Sequence, residues 1–217
     1  MDDTHTFASL SNARAAASSK QRLAAGWCVL GSGMLALMLG FAAVSLVREQ
    51  LHINCGMGQP GSEGADTWTC SDGIGYLGVT VVLGTMWFLT VLAGSLVALL
   101  VHHDRAARLV LVLLASASIA WILGWTWYGS NELVQAAYAP MSGPGYWAHV
   151  VGPAAIASAL GAVAGLISLV LPRRPSRVVG IVATVGLIIA TVLQPGLSIN
   201  TVPAVGMFAA ATFRSTG

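Results

Sequence analysis

Five long runs of uncharged, mostly apolar residues constrain the fold of this chain more than any other feature. A helix needs about 20 such residues to cross the hydrocarbon core of a bilayer. The runs cover residues 23–47, 74–101, 109–128, 150–171 and 178–193. We therefore predict an all-α integral membrane protein, in which residues 23–213 form a single bundle of about five transmembrane helices.

The charge content supports this class and excludes several others. Only 8% of the residues are Asp, Glu, Lys or Arg, whereas soluble domains average about 25%. So few charges exclude a soluble globular enzyme, a coiled coil and a disordered chain. The formal net charge of +2 excludes a nucleic-acid partner, which requires a strongly basic face. Arg is far commoner than Lys, and Ala, Gly and Val are abundant, which favours a bacterial source with a GC-rich genome.

The end of the fifth run is ambiguous. Residues 194–213 are apolar but broken, and Pro195 and Pro203 lack backbone donors, so a regular helix should kink or stop there. The uninterrupted stretch 204–213 is too short to span alone. An interfacial helix, a re-entrant segment and a continuation of a kinked fifth helix remain open. The first run is too long for a secretory signal peptide.

Basic residues set the orientation, because Lys and Arg concentrate on the cytoplasmic side of membrane proteins. With a cytoplasmic N-terminal tail over residues 1–22, eight of the ten basic residues lie inside: Arg14, Lys20, Arg22, Arg105, Arg108, Arg173, Arg174 and Arg177. Only Arg48 and Arg214 lie outside. We predict a multi-pass protein of the inner (plasma) membrane, and five spans place the C-terminus outside.

Two long loops, residues 48–73 and 129–149, then face outward. The first contains Cys55 and Cys70 on the oxidising side of the membrane, and we predict a disulfide between them. In the chain-entropy model, closing a loop of about 16 residues contributes roughly 3 kcal/mol. Most Trp and Tyr residues also lie near this face, either as an aromatic belt at the headgroup level or as a docking surface.

Four ionisable residues make a possible outer-face site: His52, Asp72, Glu132 and His149. Two His and a carboxylate can bind a catalytic metal, but their spacing matches no metal motif. No nucleotide-binding, metalloprotease or hydrolase motif occurs either. We therefore predict no metal, no cofactor and no catalytic residue.

Small residues recur on one face of two runs, where they allow close helix approach in lipid. Ser158, Gly161 and Gly165 share such a face in the fourth run, and Gly33 and Gly40 share one in the first. We assign these five residues to helix packing. The contact is either with neighbouring helices of the same chain or with a partner protein.

The central parts of the runs contain no ionisable side chain, which argues against a proton-coupled transporter. The sequence therefore favours a non-catalytic subunit or scaffold of a larger membrane assembly. Its partners would be the lipid bilayer and other membrane subunits, or a second copy of itself. The alternatives are a transporter or channel component for a neutral or apolar solute, and a membrane enzyme acting at the outer interface.

Overall fold

The structure is a computed structural model that describes residues 3–134 and 137–214, with the backbone alone for residues 3–18 and residue 173. It is about 80% helical. The helices are α1 Asp3–Met38, α2 Phe41–Ser45, α3 Leu77–Leu100, α4 Asp104–Glu132, α5 Gly143–Val150, α6 Gly152–Val170, α7 Arg173–Leu193 and α8 Ser198–Phe213. Short helical turns occupy Leu46–Gln50 (π), Gly73–Tyr76 and Pro195–Leu197 (both 3₁₀).

Within the described ranges, five helical segments are long and apolar enough to span a membrane. They are Gly73–Leu100, Asp104–Glu132, Gly152–Val170, Arg174–Leu193 and Pro195–Phe213. A sixth arises if the pair Ser19–Met38 and Phe41–Gln50 is one span, bent by 49° at its break. The bent pair contains the first apolar run, and α1 begins at Asp3, within the tail predicted over residues 1–22.

The last helix is the core of the bundle. Of its most apolar 18-residue window, 78% is buried, against 28–39% for the other four segments. It packs against α1, α3, α4 and α7. Pro195 follows the end of α7, but Pro203 lies in the second turn of α8 without ending it, at the cost of one donor to the Ile199 carbonyl. The segment 194–213 thus contains a continuous helix.

Arg214 and Asp104 lie together at one end of the bundle, here called the arginine end. Arg214 is 1% exposed and donates to the Asp104 Oδ1 at 3.0 Å. It also donates to the carbonyls of Val101 and Ala98. The prediction that placed Arg214 opposite the 102–108 connection is therefore wrong. The physical reason is that α8 crosses the bundle once more and returns the chain to this end.

A second arginine joins three helices at the same end. Arg108 of α4 donates to the carbonyl of Ser168 in α6 and to the hydroxyl of Ser176 in α7. The α3–α4 connection, the α6–α7 connection and the end of α8 therefore share one end. The part of α1 around Gly26 also lies near this end, because a Cβ at Gly26 would overlap the side chain of Leu99.

The opposite end, here called the sheet end, carries a two-stranded antiparallel sheet. Strand β1 (Cys55–Met57) pairs with β2 (Trp68–Cys70), with Cys55 opposite Cys70. The segments predicted as two outward loops meet here, because the Asn54 N–H donates to the Leu133 carbonyl at 3.0 Å.

Candidate functional site

The disulfide predicted between Cys55 and Cys70 is confirmed. It links the two residues that face each other in the sheet, and thus closes the hairpin where its strands enter the bundle. The connection between the strands is exposed over residues 59–64. Gly61 and Gly64 adopt positive φ angles of 83° and 96° there, a conformation that glycine adopts without steric cost.

Hydrogen bonds join the residues beside the strands to each other and to the 3₁₀ turn Gly73–Tyr76 that precedes α3. The Tyr76 hydroxyl donates to the Ile53 carbonyl at 2.9 Å, and the Ser71 hydroxyl donates to the Asn54 carbonyl at 3.0 Å. The Asn54 side-chain amide donates to the Gly75 carbonyl at 3.3 Å. Residues 51–76 therefore form one anchored unit, here called the cap.

An aromatic cluster joins the cap to α5. The His52 ring stacks on Trp68 with centroids 4.0 Å apart, and Tyr146 of α5 meets both rings edge-on at 5.1 and 6.0 Å. His52 has a positive φ of 53°, which is uncommon for a residue with a side chain. Its Nδ1 is buried without a hydrogen-bond partner among the described atoms.

Burial lowers the pKa of His52 below its ordinary value, because desolvation penalises the charged imidazolium. The neutral ring is therefore the form that the cluster favours at pH 7. From the sequence, His52 was predicted as part of a possible outer-face site, while Trp68 and Tyr146 were predicted as part of an aromatic belt or a docking surface. Their joint role was missed because the three lie on different segments.

The other three candidate outer-face residues are all exposed. Asp72 precedes the 3₁₀ turn without a side-chain cap bond. Glu132 ends α4 and accepts a bond from the Asn131 side chain at 3.4 Å, and His149 lies in the last turn of α5. No group of three His, Cys, Asp or Glu within residues 3–134 and 137–214 could hold a metal ion.

The small residues of the first run face α3 and α8. A Cβ at Gly33 would lie 2.7 Å from the Val91 Cγ1, and one at Gly40 would lie 3.7 Å from the Ile199 Cδ1. The Trp87 indole N–H donates to the Gly33 carbonyl at 3.0 Å. The absence of a side chain at Gly33 thus lets α3 approach α1 closely enough for this bond.

The small residues of the fourth run face the chain's own helices as well. A Cβ at Gly161 would lie 3.1 Å from the Ala183 carbonyl oxygen of α7. A Cβ at Gly165 would overlap the Phe208 ring of α8, with the Cζ only 2.6 Å away. Ser158 is fully buried, and its hydroxyl has no partner among the described atoms.

A second feature of the sheet end is an apolar groove of about 320 Å³ between the α1–α2 bend and the first half of α3. Its lining includes Phe41, Val44, Val47, Tyr76, Leu83 and Gly84. The groove was not predicted from the sequence, because it forms at the bend between α1 and α2.

The polar interior around α8 was also missed. Asn200 is fully buried, and its amide donates to the Ser118 hydroxyl at 3.3 Å. The hydroxyls of Thr191 and Thr201 lie 2.8 Å apart. Gln194 donates to the Gln50 side chain at 2.9 Å and fixes the break between α7 and α8. The signal was present in the sequence as polar residues within the broken segment.

Comparisons with protein-family models, curated proteins and solved structures find no match to this chain. Any functional interpretation therefore depends on the cap, the groove and the polar interior.

Proposed function

We propose that the chain is a non-catalytic subunit or scaffold of a larger assembly in a bacterial plasma membrane. The cap faces outward, and the arginine end and the N-terminus face the cytoplasm. The orientation follows from the distribution of charge. Among the described side chains, Arg48 is the one Lys or Arg at the sheet end, and the others lie toward the arginine end. This is the asymmetry that cytoplasmic loops of membrane proteins display.

The observation that carries the proposal is the anchored cap. A disulfide, a sheet and internal hydrogen bonds hold its shape, and the bond from Asn54 to Leu133 anchors it, while its tip at residues 59–64 remains exposed. Rigid scaffolds commonly carry recognition on such loops. A fixed polar projection is suited to contact another protein, and we assign this role to the tip.

The test is purification from the native membrane in a mild detergent, with a tag on the N-terminus and mass spectrometry of the co-purifying proteins. We expect a second membrane protein to co-purify in a stoichiometric amount. Replacing two exposed tip residues with bulky ones, Gln59→Tyr together with Glu63→Tyr, should release that partner.

The matched control places the same bulk at the opposite end, through His102→Tyr together with Ala106→Tyr, which are also exposed. This variant should retain the partner. A wild-type protein without any stoichiometric partner, or a tip variant that retains it fully, would contradict the assignment.

A transporter or channel component for a neutral or apolar solute is the second candidate. The observation that favours it is the buried polar interior of α8, where the Asn200 Oδ1 has no hydrogen-bond partner among the described atoms. Stopped-flow light scattering on proteoliposomes would test it with glycerol as the solute. Permeation above that of empty liposomes, and its loss in Asn200→Leu, would support this candidate. Equal rates would exclude glycerol transport.

A further inference from the structure

The groove beside the α1–α2 bend opens to the side of the bundle. Its rim is apolar and exposed, with Phe41 73% and Val44 50% exposed. Its wall includes Gly84, where an added Cβ would meet no atom within 4 Å. Apolar cavities do not hold water stably, and an empty one forfeits the dispersion contacts of its lining. In a membrane, the surrounding hydrocarbon is the material that can fill it.

A cation lies next to one end of this groove. Val47 lines the groove, and the next residue, Arg48, is exposed. The Arg48 carbonyl oxygen lies 3.7 Å from the Cys55 Sγ, which itself lies 3.5 Å from the hydroxyl of Tyr76, another lining residue. Arg48 therefore lies at the end of the groove nearest the cap.

Nothing described at the sheet end neutralises this charge. Within the described part of the chain the one ion pair joins Arg214 and Asp104 at the opposite end. The adjacent carboxylate, Glu49, accepts a bond from the Ser45 hydroxyl at 2.7 Å. A guanidinium with five donors in a planar fork matches the geometry of a phosphate group.

We propose that the groove binds one acyl chain of an anionic phospholipid, whose headgroup phosphate contacts Arg48. The arrangement suits such a molecule, because the apolar groove and the exposed Arg48 are adjacent on the side of the cap. The volume of about 320 Å³ falls within the usual range of ligand sites. This inference requires a membrane location but is independent of the subunit role.

The experiment uses the full-length chain, purified, delipidated and titrated with lipid under native mass spectrometry. Phosphatidylglycerol and phosphatidylcholine with identical acyl chains are the two probes. We expect one tightly bound phosphatidylglycerol and about tenfold weaker binding of phosphatidylcholine, because the choline cation of the latter offsets its phosphate charge and repels Arg48. Arg48→Gln should abolish this preference. Arg105→Gln, an exposed arginine at the other end, should preserve it.

A second pair of variants tests the groove itself. Gly84→Phe fills the slot from a position with open space, so both lipids should bind at least tenfold more weakly. Gly124→Phe is the matched control, because Gly124 is exposed on α4 with equally open space and does not line the groove. It should bind lipid as the wild type does.

Three results would overturn the proposal. If both lipids bind equally and Arg48→Gln does not change their binding, Arg48 does not contact the headgroup. If Gly84→Phe binds both lipids as the wild type does, the groove is not the lipid site. A dimer that dissociates in Gly84→Phe but not in Gly124→Phe assigns the groove to a second copy of the chain. Because the assay uses purified protein and added lipid, its failure is separate from any failure of the subunit proposal.

Discussion

At the scale of single residues, this protein depends on positions where a side chain would not fit. Gly165 and Gly33 lie where a Cβ would contact a neighbouring helix at less than 3 Å. The stripe of small residues predicted a close helix contact. It could not identify Phe208 as the neighbour of Gly165, because α8 is far along the chain. Sequence periodicity identifies a packing face but not the helix that covers it.

Gly165→Ala should lower the stability of the bundle, although alanine is normally the better helix former by about 1 kcal/mol. The added methyl group would overlap the buried Phe208 ring, and overpacking costs about 1–3 kcal/mol. Thermal unfolding in detergent should show a midpoint lower by several degrees. Gly124→Ala, with open space around it, should show no decrease. Equal midpoints for the two variants would refute the packing assignment.

The His52 cluster should make the stability depend on pH. The pKa of folded His52 is below its ordinary value of 6.5, so the unfolded chain binds a proton more readily as the pH falls. The contribution of His52 to the free energy of unfolding is therefore complete above about pH 6.5 and decreases below it. The thermal unfolding midpoint should therefore be lower at pH 5.5 than at pH 7.5.

His52→Asn should reduce this fall, because asparagine tolerates the left-handed backbone and does not titrate. His149→Asn removes an exposed histidine from the same end and should leave the wild-type response. An unchanged pH response in His52→Asn would show that another group is responsible.

At the scale of elements, the sequence predicted the outer helices of the bundle better than the central one. The four exposed spanning segments have mean hydropathies of 2.0–2.1, whereas the segment containing α8 has 1.3. A helix enclosed by other helices does not need to be apolar on every face, so Ser198, Asn200 and Thr201 reduce its hydropathy without excluding it from the bundle. Pro195 and Pro203 strengthened the impression of a broken segment, but only Pro195 ends a helix.

The break between α7 and α8 should depend on Gln194. Its side chain bonds with the Gln50 side chain, the Val150 carbonyl and the Gly196 N–H. Removing a buried partner leaves polar groups unsatisfied, at about 1–3 kcal/mol. Gln194→Ala should therefore lower the unfolding midpoint. Gln59→Ala, at an exposed position of the cap, should leave the unfolding midpoint unchanged. Equal decreases in Gln194→Ala and Gln59→Ala would contradict this role of Gln194.

The disulfide should stabilise the cap without determining the helical bundle. Replacing Cys55 and Cys70 with serine should lower the stability by about 3 kcal/mol and leave the helical circular dichroism unchanged. A reductant should lower the stability of the wild type to that of the double variant, and should not change the stability of the variant itself. Cys28→Ser, which removes the free cysteine, should retain the wild-type response. A wild type insensitive to reductant would contradict the prediction.

At the scale of the whole molecule, the two ends differ in chemistry. The sheet end holds the cap, the aromatic cluster and the groove, while the arginine end is closed by Arg108 and Arg214. The sequence predicted this polarity from its basic residues but placed Arg214 on the wrong side, since α8 was not identified as a continuous helix. With Arg214 at the arginine end, the charge asymmetry is greater than the sequence alone suggested.

The central claim of the proposed function is that the bent pair and the other five segments together cross the membrane six times, with the cap outside. Cysteine accessibility in intact cells tests it most directly, in a Cys28→Ser background that retains the disulfide. A membrane-impermeant maleimide should label Ala137→Cys at the sheet end at once. It should reach Arg105→Cys, and an antibody should reach a C-terminal tag, only after permeabilisation. A tag accessible from outside while Arg105→Cys remains protected would contradict the account.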